Sequence, residues 1–111
     1  MIFLVGKDLK INRLSCLYFY AEWSLYHDKC LKMIESFEKK CSDIEFMCIN
    51  VDLYPEYVKQ FNIKEIPSFV FLDDGKELSR FSGMVLTKPF HSYCKKVKDK
   101  NDKRRSKKSQ T

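Results

Sequence analysis

The sequence predicts an α/β fold, with a central mixed sheet of four to five strands flanked by helices. Three observations carry that prediction. Two nearly continuous apolar runs, CLYFYAEW from Cys16 to Trp23 and IEFMCINVD from Ile44 to Asp52, read as strands buried on both faces. Between them, Cys30, Ile34, Phe37 and Cys41 fall at i, i+4, i+7 and i+11, the inward face of an amphipathic helix. Downstream, the runs PSFVFL and ELSRFSG are joined through Asp73-Asp74-Gly75, a hairpin signal.

The elements follow in order. MIFLV is a short first strand, and the polar GKDLKINRLS has room for a helical turn at most. After the second strand, Ser24 is the expected helix cap, with Asp28 in the first turn at the positive end of the helix dipole. This helix is expected to end near Cys41. The segment from Tyr54 to Phe61 predicts a short helix with Pro55 in its first turn. A last helix is expected over Lys88 to Val97, with Phe90, Tyr93, Cys94 and Val97 inward. Parallel central strands closed by an antiparallel hairpin complete the sandwich.

Composition narrows the class. A chain of 111 residues with 44% hydrophobic and 14% aromatic residues is one domain with a modest core. No run reaches the roughly 18 apolar residues that span a bilayer, and the start MIFLVGKDLK lacks the basic flank of a signal peptide. The net charge of +6 is uneven: Lys95 to Thr111 holds nine Lys/Arg and two Asp, or +7, so residues 1–94 sum to −1. Residues 1–97 are therefore expected to form the domain. Residues 98–111, which have no apolar side chain, are expected to form a basic disordered tail. Five cysteines without framework spacing fit reduced thiols and a cytoplasmic or nuclear location.

Four motifs in this order resemble the thioredoxin family. They are Ala21-Glu22-Trp23, the acidic strand end Asn50-Val51-Asp52, Ile66-Pro67-Ser68, and Asp74-Gly75-Lys76 with Gly83. The likeness covers roughly residues 1–97 and implies a thioredoxin-like fold with a shortened first helix. It also implies a cis bond before Pro67 and a shallow groove for extended peptides around Trp23, Ile66, Pro67 and Gly83.

The departures lie where that family does its chemistry. In place of Trp-Cys-Gly-Pro-Cys stands Trp23-Ser24-Leu25-Tyr26-His27, so Ser24 and His27 occupy the two cysteine positions. The family's buried acid, five residues before the tryptophan, is Tyr18, and its partner lysine is Cys48. No Cys-x-x-Cys occurs anywhere in the chain. Disulfide exchange needs a thiolate to attack and a second thiol to release the mixed disulfide. A serine hydroxyl does neither, and a phenol with an ordinary pKa near 10 is a poor substitute for a buried carboxylate. The resemblance then implies a scaffold without dithiol catalysis that binds protein or extended peptide through Trp23, Tyr26, His27, Ile66, Pro67 and Gly83. Exposed Leu25 and Tyr26 would add apolar contact.

The same residues suggest other chemistries. Cys30 is the candidate for a monothiol redox role, although its place on the core face makes it a small buried hydrophobe. Ser24, His27 and Asp28 superficially suggest a hydrolase, but Asp28 points about 100° away from His27 around the helix. The pairs His27-x-x-Cys30 and His91-x-x-Cys94 suggest zinc, yet the two cysteines belong to inward stripes; no metal and no cofactor are expected. In the tail, Lys103, Arg104, Arg105, Lys107 and Lys108 are candidates for a nucleic acid or acidic partner, as in a ribonucleoprotein or ribosome-associated component. No aromatic residue is interleaved there for base stacking.

Overall fold

The computed structural model describes residues 1–4, 14–40 and 43–83. Seven elements follow along the chain. They are β1 (Ile2–Phe3), β2 (Ser15–Tyr20), α1 (His27–Glu38), β3 (Glu45–Asn50), α2 (Pro55–Gln60), β4 (Ser68–Asp73) and β5 (Lys76–Ser82). The strands form one mixed sheet in the order β1-β3-β2-β4-β5. β1 and β2 pair parallel with β3, with Tyr18 opposite Cys48 and Tyr20 opposite Asn50. β2 pairs antiparallel with β4, which pairs antiparallel with β5.

The apolar run of β2 is buried throughout because it is central in the sheet and both its faces are covered. Side chains alternate along it. Cys16, Tyr18 and Tyr20 join Cys30, Met33, Ile34 and Phe37 of α1, with Phe46, Cys48, Phe69 and Phe71, in the larger core. Leu17 and Phe19 turn to the opposite face with Met47, Ile49, Val70 and Leu72, against which Tyr54, Tyr57 and Phe61 pack. Burying one such aromatic contributes about 1.5–3 kcal/mol. The hairpin turn is Asp74-Gly75, with φ of 51° and 83°. Both residues are left-handed, as a two-residue turn matching the strand twist requires.

Several sequence expectations change. The first strand is two residues long, not five. The first helix begins at His27 with Tyr26 as its cap residue, and no side chain caps it. Ser24 misses the cap role because Ala21 to His27 is taken up by two successive turns. Ser24 N–H donates to the Ala21 carbonyl at 3.1 Å, and His27 N–H to the Ser24 carbonyl at 3.3 Å. The Ser24 hydroxyl accepts from Tyr26 N–H, two residues on, at 3.3 Å, a local serine turn in place of a cap. α1 ends at Glu38, and Cys41, its expected terminus, lies outside the described residues. The polar segment after β1, the helix at Lys88 to Val97 and the basic tail also lie outside them.

α2 is six residues long and has no buried side chain. Its far end is held from β5, where Arg80 Nη1 donates to the Phe61 carbonyl at 2.8 Å. Two bonds of 2.6 and 2.7 Å to the Glu77 carboxylate fix the same guanidinium.

Candidate functional site

One end of the sheet gathers the motif residues. β2 and β3 run parallel and finish together at Tyr20 and Asn50. β4 runs the other way and starts at that end, with Ser68 opposite both Phe19 and Ser82. The loop after β2 (Trp23 to His27), the turn after β3 (Asp52, Leu53), the Ile66-Pro67 segment and Gly83 therefore share one edge of the molecule. Val51 N–H donates to the Tyr20 carbonyl at 2.9 Å, and Trp23 Nε1–H donates to Asp52 Oδ2 at 3.0 Å, which joins the first two. Gly83 N–H donates to the Pro67 carbonyl at 2.9 Å, which joins the last two. Gly83 has φ of +87°, a conformation that L side chains rarely adopt. The Ile66–Pro67 bond is cis.

Trp23 is no core residue; it is 70% exposed, and Leu25 beside it is 92% exposed. Tyr26 is exposed, Ile66 and His27 are half-buried and Pro67 is buried. The turn after β3 adds Leu53, 67% exposed, which the sequence reading missed. Buried Asn50 shapes this turn, its Oδ1 accepting Asp52 N–H at 2.9 Å. A large apolar residue inside the turn Asp52-Leu53-Tyr54-Pro55 was the available signal.

Behind this surface, His27 is held by two tyrosines. Its ring lies 4.5 Å from that of Tyr20 at 6° and 5.9 Å from that of Tyr18 at 18°. Its Nδ1 is 2.9 Å from the Tyr18 hydroxyl. Burial pushes the Tyr18 phenol far above its ordinary range, so it stays protonated. The stack continues from Tyr18 to Phe69 at 5.2 Å and from Phe69 to Phe81 at 5.0 Å.

Cys30 is fully buried beneath the same tyrosine. Burial raises its thiol, against a hydrogen bond from Tyr18 that draws it back. Burial likewise pushes Cys48 up to about 12. Both thiols are thus in the protonated, poorly nucleophilic form at neutral pH. Ser24 and His27 meet through backbone, while the side chain of His27 is committed to Tyr18. Among the described residues no three His, Cys, Asp or Glu side chains converge as metal ligands. His91, Cys94 and the five tail cations lie outside the described residues.

The family model for thioredoxin matches residues 7–102. The chain belongs to the thioredoxin family. It is 32% identical to Thioredoxin H2 of Arabidopsis thaliana over 72 residues, 65% of this chain and 54% of that protein. It is 37% identical to Monothiol glutaredoxin-4 of Saccharomyces cerevisiae over 76 residues, 61% of this chain and 30% of that protein. The chain thus spans about half of the plant relative and under a third of the yeast one. Thioredoxin-1 of Drosophila yakuba is 30% identical over 88 residues, with 78% of this chain and 82% of that protein covered. Among solved structures, Fasciola hepatica thioredoxin superposes with a TM-score of 0.68 at 30% identity, covering 77% of this chain and 82% of the other. The malaria parasite thioredoxin-2 superposes at 0.71 with 21% identity, a likeness of fold alone. The five-stranded mixed sheet with its helices is thus a thioredoxin-like fold.

Proposed function

We propose that this thioredoxin-like domain is a protein-binding module without dithiol catalysis. Its binding surface is the sheet end formed by Trp23, Tyr26, His27, Ile66, Pro67 and Gly83, extended by Leu25 and Leu53. One observation carries the reading. His27 stands at the position where the family pattern has its second cysteine, and its imidazole is bonded to Tyr18, which stands at the position of the buried acid. A phenol–imidazole bond passes no electrons between sulfurs. The exposed apolar side chains in front of it support a contact surface. The partner is an extended peptide or protein, met in the cytoplasm or nucleus, where the thiols stay reduced.

The experiment is insulin reduction with a dithiol reductant. The full chain is expected to give no turnover above the free dithiol. The double substitution Ser24→Cys with His27→Cys, which restores the Cys-x-x-Cys spacing, is expected to raise turnover about tenfold or more. Robust turnover by the unaltered chain would overturn the proposal.

A second reading is a monothiol redox protein working through Cys30. The relative named as a monothiol glutaredoxin favours it. Alkylation at pH 7.5 separates the two. A buried packing thiol reacts about a hundredfold more slowly than the same thiol in the urea-unfolded chain, whereas a working one reacts at least as fast. A ribonucleoprotein or ribosome-associated role through Lys103, Arg104, Arg105, Lys107 and Lys108 is compatible with the binding module. It requires RNA affinity that falls steeply with salt.

A further inference from the structure

We infer that the surface takes an extended segment combining cationic with large apolar side chains; this rests on the binding-module reading. Four large apolar side chains stand in solvent there: Trp23, Leu25, Tyr26 and Leu53, at 70, 92, 46 and 67% exposure. They belong to two segments, residues 21–29 and 50–56, tied together by the Trp23–Asp52 bond. Those segments carry the exposed carboxylates Glu22, Asp28, Asp52 and Glu56 against the single ammonium of Lys29, a net of −3. The chain's +6 comes from the +7 of Lys95 to Thr111; residues 1–94 sum to −1, so outside these two segments they carry +2 against the −3 within them.

Charge complementarity selects among occupants. An apolar segment bearing Lys or Arg covers the four side chains and meets the carboxylates, and its cations gain from the ring face of Trp23. A second copy docked on the same surface would bring one −3 rim against another, because a two-fold contact pairs each patch with itself. The chain's own Lys98 to Thr111 holds seven Lys/Arg and two Asp but no apolar side chain, so it would leave the patch uncovered.

Trp23 is the single tryptophan of the chain, and its fluorescence reports on this surface directly. The full chain is titrated with three synthetic peptides of about twelve residues, identical in leucine and phenylalanine, with lysine, glutamine or glutamate between them. The lysine peptide is expected to shift the emission and to bind about tenfold more tightly than the glutamine peptide at low salt, the glutamate peptide being weakest. The gap is expected to close to about twofold in strong salt. Glu22→Lys with Asp28→Lys is expected to abolish the preference. Equal binding of all three peptides would overturn the charge inference and leave the binding module standing, whereas no response to any of them would overturn both. A preference for the glutamate peptide would overturn the inference. So would a peptide-free blue shift that grows with protein concentration, which makes a second copy the occupant. A peptide-free shift produced by salt alone would make the chain's own basic segment the occupant, with the same consequence.

Discussion

The Tyr18 hydroxyl lies 2.9 Å from His27 Nδ1, so a strand residue and the first residue of the following helix, nine positions apart, are joined by a side-chain bond. The bond stands where α1 lacks a side-chain cap, and it fixes the helix start to the sheet from beneath. Its energetic weight can be measured. Tyr18→Phe keeps the ring stack and removes the hydroxyl, leaving a half-buried imidazole nitrogen without its partner. Stability is expected to fall by about 0.5–1.5 kcal/mol, read as a lower urea midpoint with an unchanged slope. A midpoint equal to that of the unaltered chain would mean that water replaces the phenol at no cost.

Exposure separates the roles of two aromatic residues. Trp23 is 70% exposed and Phe37 is 1% exposed. Trp23→Ala is expected to leave stability within about 0.5 kcal/mol while abolishing peptide binding. Phe37→Ala, which opens a cavity between α1 and Phe46, is expected to cost about 3–5 kcal/mol. Thermal melts of the two variants check both. A large loss on truncating Trp23 would return it to the core.

Alkali is expected to unfold this domain early. Burial raises Tyr18, Cys30 and Cys48, so the folded chain keeps protons that the unfolded chain gives up, from about pH 8.5 for thiols and about 10 for phenols. The stability these groups contribute is complete below about pH 8.5 and drains as pH rises, at about 1.4 kcal/mol per pH unit for each group once its unfolded counterpart ionises. Urea unfolding at neutral pH and near pH 9.5 measures the slope. Cys48→Ala is expected to flatten it by one group's share, and a curve level across that window would contradict the assignment.

Much of the fold was legible in the sequence because it rests on local patterns. The apolar run Cys16 to Tyr20 is buried on both faces, as such a run must be, and Cys30, Ile34 and Phe37 turn inward as their spacing requires. Asp74-Gly75 makes the turn its residues favour. The start of α1 departs from the expectation because a serine two residues before a turn amide and a serine at a helix cap look identical in sequence; only the preceding turn from Ala21 decides between them. The site was legible in part. Leu25 and Tyr26 could be read as exposed from their place at the helix start, and Trp23 as part of the groove only through the family resemblance. The Tyr18–His27–Tyr20 stack could not, since it depends on how a helix end is set over a strand. Leu53 escaped because its outward direction is set by Asn50, through a hydrogen bond within the turn.

The two halves of the exposed surface stand on unequal foundations. Trp23, Leu25 and Tyr26 spring from β2 and α1, both sunk in the larger core. Leu53 sits at the head of α2, a single helical turn and a half, too short to persist unaided and moored at its far end by the Arg80 guanidinium. One side of the surface is anchored through a whole strand and helix, the other through Tyr54, Tyr57 and Phe61 against the smaller core and one guanidinium. A bound ligand would stiffen the second against the first, and slower amide exchange across Pro55–Gln60 would register its arrival before any strand moved.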